Sequence, residues 1–129
     1  MKRLTFVLAC IACTGCNGGT VDRHALAKDG EAIDSLACEG RLLARDLADS
    51  DTTMRFARVH AGELRQRASN FEDALSERPT AGGIEGSVRS QARKAGRIAR
   101  LLESLERAPD DEANAREAAA SLQNEGDCP

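Results

Sequence analysis

Residues 57–83, ARVHAGELRQRASNFEDALSERPTAGG, carry the pattern that decides the fold. Ala57, Ala61, Leu64, Ala68, Phe71 and Leu75 step by 4, 3, 4, 3 and 4, the seam of a helix that packs lengthwise on another. Three of the six are alanine, so a partner helix can come close. Pro79-Thr80-Ala81-Gly82-Gly83 then breaks the helix and turns the chain back. Beyond the turn Ile84, Val88, Ala95, Ile98, Leu102 and Leu105 keep the same heptad, with Gln91 in its one polar slot. The spacing predicts one helix running to about Glu77 and another from about Ile84 to Arg107, paired as a central hairpin.

On the N-terminal side, Leu26, Ile33, Leu36, Leu43 and Leu47 lie on one helical stripe between about Asp22 and Ala48. Gly30 and Gly40 weaken that helix, so its ordered part is expected from about Asp29. Ser50, Asp51 and Thr52 offer N-caps for the next helix. Asp46, Asp49 and Asp51 do not make a calcium loop, because the Gly and the closing Glu of an EF-hand are missing. On the C-terminal side, Pro109 ends the third helix and Asp110, Asp111 and Glu112 complement the N-terminal dipole of a fourth. That one is short, to about Gln123, with Ala115, Ala118, Ala119 and Leu122 inward. Strand signals are almost absent and helix formers abound. Short connections make neighbouring helices antiparallel. The expected fold is therefore all-α, a small antiparallel bundle of three long helices and one short one over residues 22–129.

The N-terminus has another character. Lys2 and Arg3 precede an apolar run, Leu4 to Ala12, of signal-peptide length and well short of the roughly 20 residues that span a bilayer. Cys13-Thr14-Gly15-Cys16 follows, then polar Asn17-Gly18-Gly19-Thr20. This segment resembles the lipobox of bacterial lipoproteins, in which small residues precede a cysteine that is diacylated and becomes the mature N-terminus. The resemblance covers this segment only, and Cys13 stands where the family normally has Leu. It implies removal of residues 1–15, acylation of Cys16 and a flexible tether over residues 16–21. Gly15, the length of the apolar run and the tether favour Cys16. Val7-Leu8-Ala9-Cys10 also fits locally, with a shorter apolar core, and cleavage at Cys13 would put Cys10 and Ile11 in the recognition box. If the host is Gram-negative, Asn17 lacks the Asp that in lipoprotein sorting favours retention in the inner membrane, which points to the periplasmic face of the outer membrane. Cys10, Cys13 and Cys16 also spell C-x-x-C-x-x-C, but metal ligands need a folded loop of thiolates, not an apolar run at a chain terminus. No metal or other cofactor is expected.

Maturation at Cys16 leaves Cys38 and Cys128 as the remaining thiols. An exported chain meets an oxidising compartment, where the two can form an intramolecular bridge. An intermolecular bridge and free thiols are the competing readings.

Without residues 1–15 the chain keeps 16 basic and 21 acidic residues, net −5. That acidity, no Trp or Tyr, and only Phe56 and Phe71 beyond the signal peptide argue against nucleic-acid and sugar-stacking surfaces. Catalytic signatures are missing: His24 and His60 have no nucleophile at a motif spacing, and Gly82-Gly83 lacks the Lys and Ser/Thr of a phosphate loop. No catalytic residues are assigned, and a non-enzyme is expected.

The charge is segregated. Residues 52–102 carry 10 basic and 5 acidic groups, whereas residues 103–129 carry 2 and 8. Arg89, Arg93, Arg97 and Arg100 step by 4, 4 and 3 along one face of the third helix. They could hold anions such as lipid headgroups, or they could pair with acidic helices of their own bundle. Two function classes follow. The first is a membrane-anchored structural or protein-interaction module with an envelope protein as partner. The second is an anion- or headgroup-binding module using the four arginines. The gross design is similar to the small disulfide-stapled pilotins, on architecture alone. It also resembles the Ala-rich, heptad-patterned murein lipoprotein, but it ends in Pro129 where that lipoprotein has the Lys that joins peptidoglycan.

Overall fold

The computed structural model describes residues 19–128 and contains four helices, α1 (Arg23–Ala48), α2 (Met54–Glu77), α3 (Glu85–Arg107) and α4 (Glu112–Gln123). Residues 1–15, expected to be a signal peptide, Cys16, the expected lipidation site, and the terminal Pro129 lie outside the described residues.

Cross-helix contacts fix the directions. Arg65 meets Glu106, and Glu72 lies against Gly96, so α2 and α3 run antiparallel. Gly40 faces Leu122 while Cys38 joins Cys128, so α4 runs against α1. Asp34 pairs with Lys94, and Gly40 also faces Leu102, so α1 and α3 run parallel. The result is an up-down-up-down bundle with the α2–α3 hairpin expected from the heptad.

The seam residues form its core. Ile33, Leu36, Leu64, Ile98, Leu102, Leu105 and Leu122 are fully buried, as are Ala57, Ala61, Ala68 and Ala95. Burying one such Leu or Ile contributes roughly 1.5–3 kcal/mol. Phe71 and Leu26 are only partly buried at the edge of that core.

Three local expectations change. First, α1 begins at Arg23 rather than near Asp29. The Asp22 carboxylate accepts from Ala25 N at 2.8 Å, and in fully buried Val21 the backbone N–H donates to Pro79 O while the carbonyl O accepts from Ala81 N. Val21, two residues before the helix, thus joins the α2–α3 linker. The chain assigned to the tether is part of the folded body from Val21 onward.

Second, Gly40 does not weaken α1 but lets it approach. A Cβ there would lie 2.9 Å from Leu102 Cδ2 and 3.2 Å from Leu122 Cδ1. Third, α2 is capped by Thr53, whose Oγ1 accepts from Phe56 N at 3.2 Å, and not by Ser50, Asp51 or Thr52. Ser50 and Asp51 close α1 instead. Ser50 takes a positive φ of 59°, with Ser50 N bonded to Leu47 O and Asp51 N to Asp46 O. That is a Schellman ending with Ser where Gly is usual.

Candidate functional site

Cys38 and Cys128 are bonded to each other, with Cα atoms 5.2 Å apart and a sequence separation of 90. The bond brings the tail back along α1. Gly126 sits against it so closely that an added Cβ would lie 3.1 Å from Asp34 Cα.

The four arginines of the basic face do not form one site. Arg97 makes a bidentate pair with Glu125 of the tail, Nε to Oε1 at 2.8 Å and Nη2 to Oε2 at 2.9 Å. That contact raises the guanidinium pKa, chiefly through the hydrogen bond to Glu125. Lys94, in the same basic run, pairs with Asp34 of α1. Other arginines of the hairpin also meet carboxylates: Arg65 with Glu106 at 2.6 Å, Arg67 with Glu39 at 3.5 Å, and Arg78 with Asp29 at 4.0 Å. Much of the basic hairpin is therefore matched within its own bundle. Arg89, Arg93 and Arg100 are exposed and have no ion-pair partner within 4.0 Å among the described residues.

Arg89 and Arg93 line a cleft of about 590 Å³ between α2 and α3. Arg78, which sequence reasoning missed, also lines it, while Arg100 and Arg97 do not. Leu75, Val88 and Ala92 line it with apolar surface, and Glu72 and Glu85 add carboxylates. Glu85 Oε2 already accepts from Gly83 N at 3.0 Å. Arg78 Nε donates to Gly19 O at 3.0 Å, so the cleft opens beside the point where the described chain begins. Arg78 directly precedes the Pro79 breaker, and that junction was its only signal in the sequence.

A second feature sits at the other end of the bundle. Met54, Phe56 and Val59, at the start of α2, are 57%, 58% and 58% exposed. Phe56 stacks on His60 with ring centroids 5.5 Å apart, and His60 Nδ1 lies 3.8 Å from Glu63 Oε2. Phe56 and Val59 fall outside the heptad positions, which is the sequence signal for their exposure, whereas Met54 continues the heptad one step before Ala57 and is exposed all the same. Since α1 spans 26 residues, the two ends of the bundle stand about 39 Å apart.

Among the described residues no group of three His, Cys, Asp or Glu side chains is placed to hold a metal ion, and no helix is long and apolar enough to cross a membrane. Fold and bridge define a disulfide-stapled four-helix bundle. No protein-family model, curated protein or solved structure matches the chain.

Proposed function

We propose that this chain is a lipoprotein of the bacterial cell envelope, held by acyl groups on Cys16 at the periplasmic face of the outer membrane. Its helical body docks another envelope protein and performs no chemistry. The lipobox-like Cys13-Thr14-Gly15-Cys16 supports the address, and the intrachain Cys38–Cys128 bond suits an oxidising compartment.

The observation that carries the docking role is the placement of Met54, Phe56 and Val59. Single exposed apolar residues are ordinary. Here three fall within residues 54–59, interleaved with exposed Arg55 and Arg58, at the end remote from Gly19. Aromatic, Met and Arg side chains are the types enriched in protein interfaces. An anchor at Cys16 would leave that end facing away from the bilayer.

A photo-crosslinking side chain at Phe56, compared with one at exposed Glu117 of α4, tests this in intact envelopes. The expected result is one discrete adduct from position 56 that disappears on Val59→Asp, with none from position 117. Equal capture from both positions would remove the docking role.

A further inference from the structure

We propose that the α2–α3 cleft binds the phosphate of an anionic lipid headgroup through Arg89 and Arg93, giving the body a second hold on the membrane surface. The inference rests on the anchoring proposed at Cys16, which supplies the nearby bilayer.

Pairing within the bundle is selective. On α3, Lys94 and Arg97 are neutralised by Asp34 and Glu125, from α1 and the tail. Arg89 and Arg93, which border the cleft toward α2, have no such partner among the described residues, although Glu72 and Glu85 line the same cleft. Glu85 is directed to the Gly83 amide, and Glu72 packs on the bare backbone of α3, where a Cβ at Gly96 would lie 2.3 Å from its Oε1. The two guanidinium groups thus stand ready beside carboxylates that are turned to other duties.

Arg89 and Arg93 are one helical turn apart, with Cβ atoms about 5–6 Å from each other, so both can reach a single phosphate. Guanidinium matches phosphate oxygens in bidentate geometry. The apolar floor of Leu75, Val88 and Ala92 suits the glycerol and first methylenes beyond the phosphate.

Location supplies the rest. Arg78, which lines the cleft, donates to Gly19 O, and Thr80, which also lines it, is flanked by the two backbone bonds to Val21. Cys16 is three residues before Gly19 in the sequence, a reach of at most about 11 Å. A bilayer that held acyl chains on Cys16 would therefore lie at the mouth of this cleft. Basic side chains at such a surface are drawn to anionic lipid.

The test uses the full chain with Cys16→Ser, in dodecyl maltoside micelles doped with phosphatidylglycerol, read by backbone amide NMR shifts. Saturable shifts confined to residues 75–80 and 85–93 are expected. Removing both cleft arginines (Arg89→Gln with Arg93→Gln) should weaken binding at least about tenfold. An equal loss of charge elsewhere (Arg58→Gln with Arg100→Gln) should change it less than about twofold. All four arginines are exposed, so both doubles keep the fold, as thermal melts verify. No shifts, or equal weakening by the two doubles, overturns the site. Inorganic phosphate producing the same shifts at the same concentration assigns the cleft to a soluble anion and overturns the lipid. Because this chain carries no acyl group, failure here leaves the anchor standing, while a failure of the anchor is read separately from palmitate labelling of the unaltered chain.

Discussion

Helices α2 and α3 bring 24 and 23 residues to their shared seam, whereas α4 brings only 12 to its contact with α1. The long hairpin closes through Ala57, Ala61, Ala68, Leu64 and Leu105, and the Arg65–Glu106 pair ties the middle of α2 to the end of α3. The short helix buries Ala115, Ala118 and Leu122, and adds what its length does not supply: the Cys38–Cys128 bond, the Gly40 approach and the Arg97–Glu125 clamp on its tail. A heptad carried through both helices makes a seam that needs no covalent help, while three turns of alanine-rich helix need a staple.

The largest test of that contrast is removal of the bridge. Cys38→Ser with Cys128→Ser should cost about 4–5 kcal/mol on the chain-entropy model, read by urea unfolding. Hydrogen exchange should rise first at α4 amides and last at the α2–α3 seam. Uniform acceleration over all four helices would erase the distinction.

Two glycine substitutions sharpen it. Gly40→Ala pushes a methyl into Leu102 and Leu122, both fully buried, and overpacking of about 1–3 kcal/mol outweighs the helix-propensity gain of about 1 kcal/mol. A net loss of about 1 kcal/mol is expected. Gly96→Ala meets only the carboxyl end of Glu72, a flexible and partly exposed side chain that can swing aside. The propensity gain should then survive, leaving this variant as stable as the parent or up to about 1 kcal/mol better. Opposite signs in thermal melts support the account, and equal losses contradict it.

Ser50→Gly relieves the left-handed residue that ends α1, and a gain of about 0.5–1 kcal/mol is expected from the shift in thermal midpoint. The smallest effect lies at Asp22. The backbone hydrogen bond from Ala25 is the main cause that holds its carboxyl below the usual 3.8. A depressed folded pKa means its stabilisation is fully present above 3.8 and is lost as pH falls through the lower folded value. The advantage of the parent over Asp22→Ala should accordingly vanish in acid, as melts across that range would report.

Periodic features were readable before the fold was known. The heptad steps placed α2 and α3, the Pro79–Gly83 breaker placed their turn, and the cysteine count left Cys38 and Cys128 as the pair to bridge. What escaped depends on residues brought together from afar. Val21 looks like linker because its partners, Pro79 and Ala81, are remote in sequence. The four arginines share a helix face by spacing, yet the tail bound by Cys128 delivers Glu125 to Arg97 and leaves Arg89 and Arg93 to the cleft. Thr53 rather than Ser50 caps α2 because the Schellman ending of α1 has already used the preceding residues.

The direction in which the molecule presents its two ends depends on what is attached at Cys16. Cells expressing the unaltered chain and Cys16→Ser should be labelled with radioactive palmitate and fractionated. The account predicts label in the unaltered protein, in the membrane fraction and at the mass lacking residues 1–15, with none in the variant. An unlabelled, unprocessed chain in the cytosol would contradict it.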